Sequence, residues 1–222
     1  IPMIEDDHFG YVHSSAYCSE DEALAEAKSI WPELHGERIV RFRSGRHERA
    51  WIGNVYAFGN AYAFVEPLES TGLLMISRAI TSLVRSFPIA GDMKAQKRFV
   101  NTSLGHDWDR LRWFLAVHYK FNKRVESKFW DDVRANADVS GLEYALEIFG
   151  AMGPLSLLPR SVRQSVLDAT GIFFYGLAGL DNILLGQKVP CPKLDREPSK
   201  NWRARREKAL EFVKRALPMA EA

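Results

Sequence analysis

Residues 60–76 read NAYAFVEPLESTGLLMI, and between two apolar runs they place Glu66, Pro67, Glu69, Ser70, Thr71 and Gly72. The aromatic and β-branched residues up to Val65 suit a strand. Ser70 and Thr71 suit a helix cap, and apolar residues at helical spacing follow from Leu73. The stretch therefore predicts a strand end, a polar turn and a helix start. A helix opening at 70–72 leaves its first amides without internal partners, and its dipole favours an anion there. Gly72, lacking a Cβ, leaves the backbone open to close approach. Glu69 stands where it can accept a proton or a hydrogen bond from a reacting molecule. On spacing alone the plainer reading stays open: Glu66 and Glu69 as surface carboxylates, with Ser70 a simple cap.

The turn divides the chain. Upstream, Phe9–Ser14 (FGYVHS) is strand-like. Ser19 followed by Glu22 has capping-box spacing and predicts a helix to about Trp31, before Pro32. Arg38–Arg43 and Ala50–Phe58 read as two strands pairing antiparallel across the turn Ser44–Arg46. Downstream, Leu73, Ile76, Ile80, Leu83 and Phe87 form an apolar helical stripe that Pro88 and Gly91 end. A second helix covers about Asp107–Tyr119, with Trp108, Leu111, Leu115 and His118 on one side and Asp107 and Asp109 in its first turn. Further helices are predicted at Leu142–Phe149, Ser161–Ala169, Ile172–Leu185 and Trp202–Leu217. The fold class is thus α+β, with a small antiparallel sheet followed by a mainly α-helical region. We place the division at 1–72 and 73–222.

With 222 residues, 46% of them hydrophobic, the chain can bury a core. A formal charge of +2 is too small to predict nucleic acid or a membrane as partner. The apolar run Ile172–Leu185 is broken by Asp181 and is shorter than the ~20 residues a bilayer needs. Cys18 and Cys191 read as reduced thiols of a cytoplasmic protein. The six histidines offer no metal-ligand spacing, so no metal is expected. Ser70 lacks the context of a hydrolase nucleophile. The basic cluster Lys200, Arg203, Arg205, Arg206 and Lys208 is interleaved with Glu207 and Glu211 and reads as a solvated helix.

The segment FVEPLESTG (64–72) resembles the signature of the flavin-dependent halogenases, the family that includes the tryptophan halogenases. Ile1 and Pro2, followed by FGYVHSSAYCSEDEA (9–23), are similar to the end of that family's W-x-W-x-I-P motif and the strand and acidic helix after it. HYKFNKRVESKFW (118–130) is similar to its substrate-pocket segment. The resemblance spans residue 1 to about 135.

It implies a chemistry in which reduced FAD, delivered by a flavin reductase, dioxygen and chloride or bromide yield hypohalous acid. That acid then halogenates an electron-rich aromatic. By this resemblance Glu69 is the assisting carboxylate, and the backbone amides of Thr71 and Gly72 hold the halide. Pro67, Leu68 and Leu73 lie against the flavin ring, with Gly59 and Asn60 near the rest of the cofactor. Phe129 and Trp130 sandwich the substrate, and His118 and Tyr119 are neighbouring pocket residues. The sheet is expected to be a remnant of a flavin monooxygenase-like fold.

Two departures shape the expectation. Val125 follows Arg124 where tryptophan-specific members place a glutamate for the amino group, so an indole without the free amino acid backbone, a phenol or a pyrrole fits better, on a carrier or alone. The sequence also contains no G-x-G-x-x-G fingerprint, and the family's catalytic lysine belongs to the same absent half. The chain is therefore expected to be the C-terminal portion of a halogenase, inactive alone, with the N-terminal half as a candidate partner chain. A monooxygenase relative that needs no halide, or an inert fragment that binds a partner, are the alternatives.

Overall fold

The computed structural model describes residues 9–87, 93–172, 175–192, 204, 206–208, 210 and 211. The chain divides into two compact units, residues 1–39 with 193–222, and residues 40–192.

In the first unit, helix α1 (Glu20–Ile30) opens with the expected reciprocal cap. The Ser19 amide donates to Glu22 Oε2 at 2.8 Å, and the Glu22 amide donates to Ser19 Oγ at 3.3 Å. Two orphan donors are thereby satisfied, and Ala23 and Ala27 turn inward. FGYVHS, predicted as a strand, forms no ladder among the described residues. Its β-propensity expresses itself only beside a pairing neighbour, and none of the described segments supplies one. The predicted helix at 202–217 falls mostly outside the described residues.

The second unit begins with two short antiparallel ladders. Strand β1 (Gly45–Arg46) pairs with β4 (Ala63–Phe64), while β2 (Trp51–Ile52) pairs with β3 (Val55–Tyr56). The expected pairing of 38–43 with 50–58 does not form. Instead the segment 50–58 folds on itself around Gly53 and Asn54, with Gly53 at φ 58°. A two-residue Gly-Asn turn closes a hairpin at lower entropic cost than a wider loop. The side chain of Asn101 then locks it: its Oδ1 accepts from the Ala50 and Trp51 amides, both at 2.8 Å, and its Nδ2 donates to the Trp51 carbonyl.

Helix α2 (Gly72–Ser86) presents Met75, Ala79 and Ser86 to the core. This corrects the predicted stripe, because Leu73, Ile80 and Phe87 are exposed. The apolar residues of α2 form one wide face, and only its Met75–Ala79 side meets the core, leaving Leu73, Ile80 and Val84 exposed. Tyr56 selects that side, its hydroxyl donating to the Ala79 carbonyl at 2.9 Å, where a small side chain permits close approach.

Helix α3 (Met93–Lys120) is the spine. Its first part buries Val100, Leu104, Trp108 and Leu111 against the hairpins and α2. Farther along, Val117 joins a second core with Leu142, Phe149, Leu155, Val166, Leu180 and Leu184. Because α3 starts well before residue 107, Asp107 and Asp109 lie in mid-helix and do not complement the dipole as predicted. Asp107 is buried against Arg78 (2.8 Å) and Arg110 (3.6 Å), and Asp109 accepts the fork of Arg46.

Helix α4 (Lys128–Asn136), which sequence reasoning missed, is capped by Ser127. Helices α5 (Glu143–Met152) and α6 (Arg160–Thr170) stand where expected. The apolar run from Ile172 is not one helix: Gly171 and Tyr175 are left-handed, and α7 covers only Gly176–Gly186. The architecture is α+β, small antiparallel ladders followed by packed helices.

Candidate functional site

The polar turn is built from strained backbone. Leu68–Ser70 makes one turn of 3₁₀ helix, in which the Ser70 amide donates to the Pro67 carbonyl at 3.0 Å. Inside it Glu69 (φ 64°, ψ 2°) and Ser70 (φ 49°) are both left-handed. Side chains other than glycine's pay about 1–3 kcal/mol for such positions, and surrounding structure must hold them there.

Helix α2 starts immediately afterwards. The first i→i−4 bond runs from the Met75 amide to the Thr71 carbonyl, so the amides of Gly72, Leu73 and Leu74 precede the internal ladder. No side chain caps this end. Nothing lies within 4 Å of where a Cβ would stand on Gly72. Thr71 is 2% exposed, and its Oγ1 is buried without a hydrogen-bond partner. Open amides, a positive helix end and an orphan hydroxyl suit a small anion.

Around the turn the site is closed by α3 and α4. His118 Nε2 lies 3.0 Å from Glu69 Oε1, and Tyr119 donates its hydroxyl to Glu66 Oε1 at 2.6 Å. Burial and the Glu66 carboxylate hold the Tyr119 phenol well above its usual range. The Tyr119 ring stacks on Trp130 (5.8 Å between centroids, 24°), and Phe129 meets Trp130 edge-on at 5.1 Å. Ser127 sets that pair by capping α4 through the Trp130 amide. The structure therefore pairs Glu69 with His118, and joins Tyr119, Trp130 and Phe129 in a second group that includes Glu66, a residue that sequence reasoning leaves out of the site.

Tyr175 was missed altogether: its hydroxyl donates to the Glu69 carbonyl at 3.4 Å, and its ring lies 5.6 Å from Phe114. Its position before Gly176, in a left-handed turn, is the local feature that could have marked it.

Of the remaining predicted residues, Pro67, Leu68 and Leu73 are exposed beside the turn, Leu73 to 81%. Gly59 (φ 57°) sits below α2, where a Cβ would come within 3.1 Å of Ile76, and Asn60 is exposed next to it. These exposed side chains give the turn an apolar flank. Val125 is half exposed, and Arg134 clamps its segment by donating to the carbonyls of Asn122 and Val125. A cleft of about 630 Å³ between the hairpins and the first part of α3 contains none of the predicted residues; Arg46, Arg49, Lys97 and Arg98 line it.

The family model described as tryptophan halogenase matches residues 1–196. Tryptophan 7-halogenase RebH of Lentzea aerocolonigenes is 35% identical over 157 residues, 68% of this chain and 29% of RebH. Tryptophan 6-halogenase SttH of Streptomyces toxytricini is 37% identical over 151 residues, 66% of this chain and 29% of SttH. Among solved structures, MibH, described as "a lathipeptide tryptophan 5-halogenase", aligns with TM-score 0.82 and 44% identity over 94% of this chain and 40% of MibH. The chain spans about 29% of the length of the curated relatives it matches.

Proposed function

We propose, from the premise that this chain belongs to the tryptophan halogenase family, that it supplies the halide site, the assisting carboxylate and the substrate wall of a flavin-dependent halogenase. The observation that carries this reading is the opening of α2: amides that precede the helical ladder, and the orphan Thr71 hydroxyl, beside a Glu69 carboxylate anchored by His118.

Reduced FAD, when bound, supplies with dioxygen the oxidising power that turns chloride or bromide into hypohalous acid. Pro67, Leu68 and Leu73 offer apolar surface to the flavin ring, and Gly59 and Asn60 approach the rest of it. The amides of Thr71 and Gly72 bind the halide. Trp130 and Phe129 hold the aromatic substrate, with Trp130 braced by the Tyr119 ring. Glu69 takes the proton that leaves the halogenated ring carbon; the C–H electron pair returns to the ring and restores aromaticity. Within residues 1–72 the segment 66–72 provides the halide turn, and after residue 73 the helices α3 and α4 cover the pocket.

The substrate we favour is an indole whose amino group is not free, such as tryptophan within a peptide. Val125 cannot pair with an ammonium, and burying one unpaired is costly; the likeness to MibH supports the same choice. The partners are a flavin reductase and the N-terminal section that family members carry, covalently joined or as a separate chain. The chain alone should not retain FAD or turn over.

The test joins this chain to the N-terminal section of a family halogenase and adds reductase, FAD, bromide and a tryptophan-containing peptide. A brominated peptide, with free tryptophan a poorer substrate, supports the reading. Hydroxylation without bromination would favour a monooxygenase.

A further inference from the structure

The imidazole of His118 makes two contacts that together count protons. Nδ1 lies 3.2 Å from the Phe114 carbonyl, one turn back along α3. A carbonyl only accepts, so Nδ1 carries a hydrogen. In a neutral ring that leaves Nε2 as an acceptor. Yet Nε2 sits 3.0 Å from Glu69 Oε1, and an ionised carboxylate is also only an acceptor. Two acceptors do not bond. One further proton must lie between them, on the ring or on the carboxyl.

The fold decides where. His118 stands in the last turn of α3, a 28-residue helix whose carboxyl end favours a cation. Glu69 stands just before the first turn of α2, whose amino end favours an anion. The two helix poles thus pull the pair towards imidazolium and carboxylate. Neighbouring groups leave it undisturbed. Glu66 is occupied by the Tyr119 hydroxyl. Tyr175 binds the Glu69 carbonyl. Lys120 points to the Ala135 carbonyl, and Gln187 donates to the His118 carbonyl. The His118 side chain is 17% exposed and that of Glu69 35%, so the charge pair is partly screened from water.

We infer that His118 is the positioning residue for Glu69, an imidazolium that holds the carboxylate ionised and aimed over the anion-binding turn, and is not itself a substrate contact. The pair stands on hydrogen-bond geometry; only its consequence for turnover rests on the function proposed above. The imidazolium fixes the strained Glu69 carboxylate in place, keeps it ready to accept a proton, and adds positive charge near the halide.

The chain labelled with ¹⁵N-histidine tests this at about pH 7, near the point where a free imidazole is mostly neutral. His118 should show both ring nitrogens protonated, and the Glu69→Gln variant should return it to the neutral form while the other histidine signals stay in place. One unprotonated His118 nitrogen in the native chain, or an imidazolium that survives Glu69→Gln, overturns the inference. In the joined enzyme, His118→Phe should lower kcat by about 10–100-fold with KM changed less than about threefold, the pattern of an interaction made only in the transition state. A change confined to KM would make His118 a substrate contact instead. The spectroscopic arm needs no turnover, so failure of halogenation and failure of the ion pair read out separately.

Discussion

Asp181 and Glu69 are both carboxylates set among apolar neighbours, and the fold treats them in opposite ways. Asp181 is 3% exposed in α7 and accepts the amides of Leu155 and Ser156 at 2.7 and 2.8 Å, so carboxylate and turn satisfy each other. Glu69 sits on a left-handed backbone, partly open, beside helix amides outside the ladder and a buried hydroxyl with no partner. At Asp181 both carboxylate oxygens are paired with backbone amides. At the polar turn, pairing is left unfinished and backbone strain is retained, the pattern of a site awaiting a ligand.

Substitutions can break this contrast, and the largest effect belongs to the turn. In the joined enzyme, Glu69→Gln should cut halogenation by about 10²–10⁴-fold, measured as product per minute, with the urea midpoint of the chain nearly unchanged. Near-native turnover would show that Glu69 is surface chemistry after all. Asp181→Ala should do the reverse, costing about 2–5 kcal/mol in urea unfolding, because it strands the buried Leu155 amide and the half-buried Ser156 amide. A loss below about 1 kcal/mol would erase the distinction between the two regions.

Gly141→Ala should destabilise by about 1–3 kcal/mol through overpacking, since a Cβ there would lie 2.0 Å from the Trp113 ring; an unshifted thermal midpoint would contradict the packing. Ser70→Gly should instead stabilise the chain by about 0.5–1 kcal/mol, since glycine accepts φ 49° without the steric cost. Loss of stability there would mean that the turn is not strained. The smallest effect is at alkaline pH. The Tyr119 phenol is raised by burial and by Glu66, so the folded chain keeps its proton where the unfolded chain loses it. The stabilisation is complete below the ordinary tyrosine value of about 10 and declines as pH rises above it. Comparing the urea midpoint against pH with that of Tyr119→Phe isolates this component; parallel curves would remove it.

Local signals were legible wherever the physics is local. The capping box of α1 needs only residues three apart, and α5 and α6 carry their own periodicity. The 66–72 turn announced itself through proline, hydroxyls and glycine in succession. Errors arose where a choice depended on a distant partner. The hairpin closed at Gly53-Asn54 and is pinned by Asn101 from α3. The face of α2 was settled by Tyr56. Asp107 became a buried ion-pair centre because α3 begins far earlier than its strongest apolar stripe. Tyr175 reaches Glu69 across 106 positions of sequence, a distance no spacing rule covers.

By itself the sequence determined helices α1, α5 and α6, the α+β class, the polar turn at a helix start and the family likeness, because caps, turns and periodicity act over a few residues. Only the tertiary structure decided that Glu69 meets His118, that Glu66 meets Tyr119, and that Thr71 is buried without a partner. Those are contacts between segments far apart in the chain, chosen by which helix ends the two cores bring together.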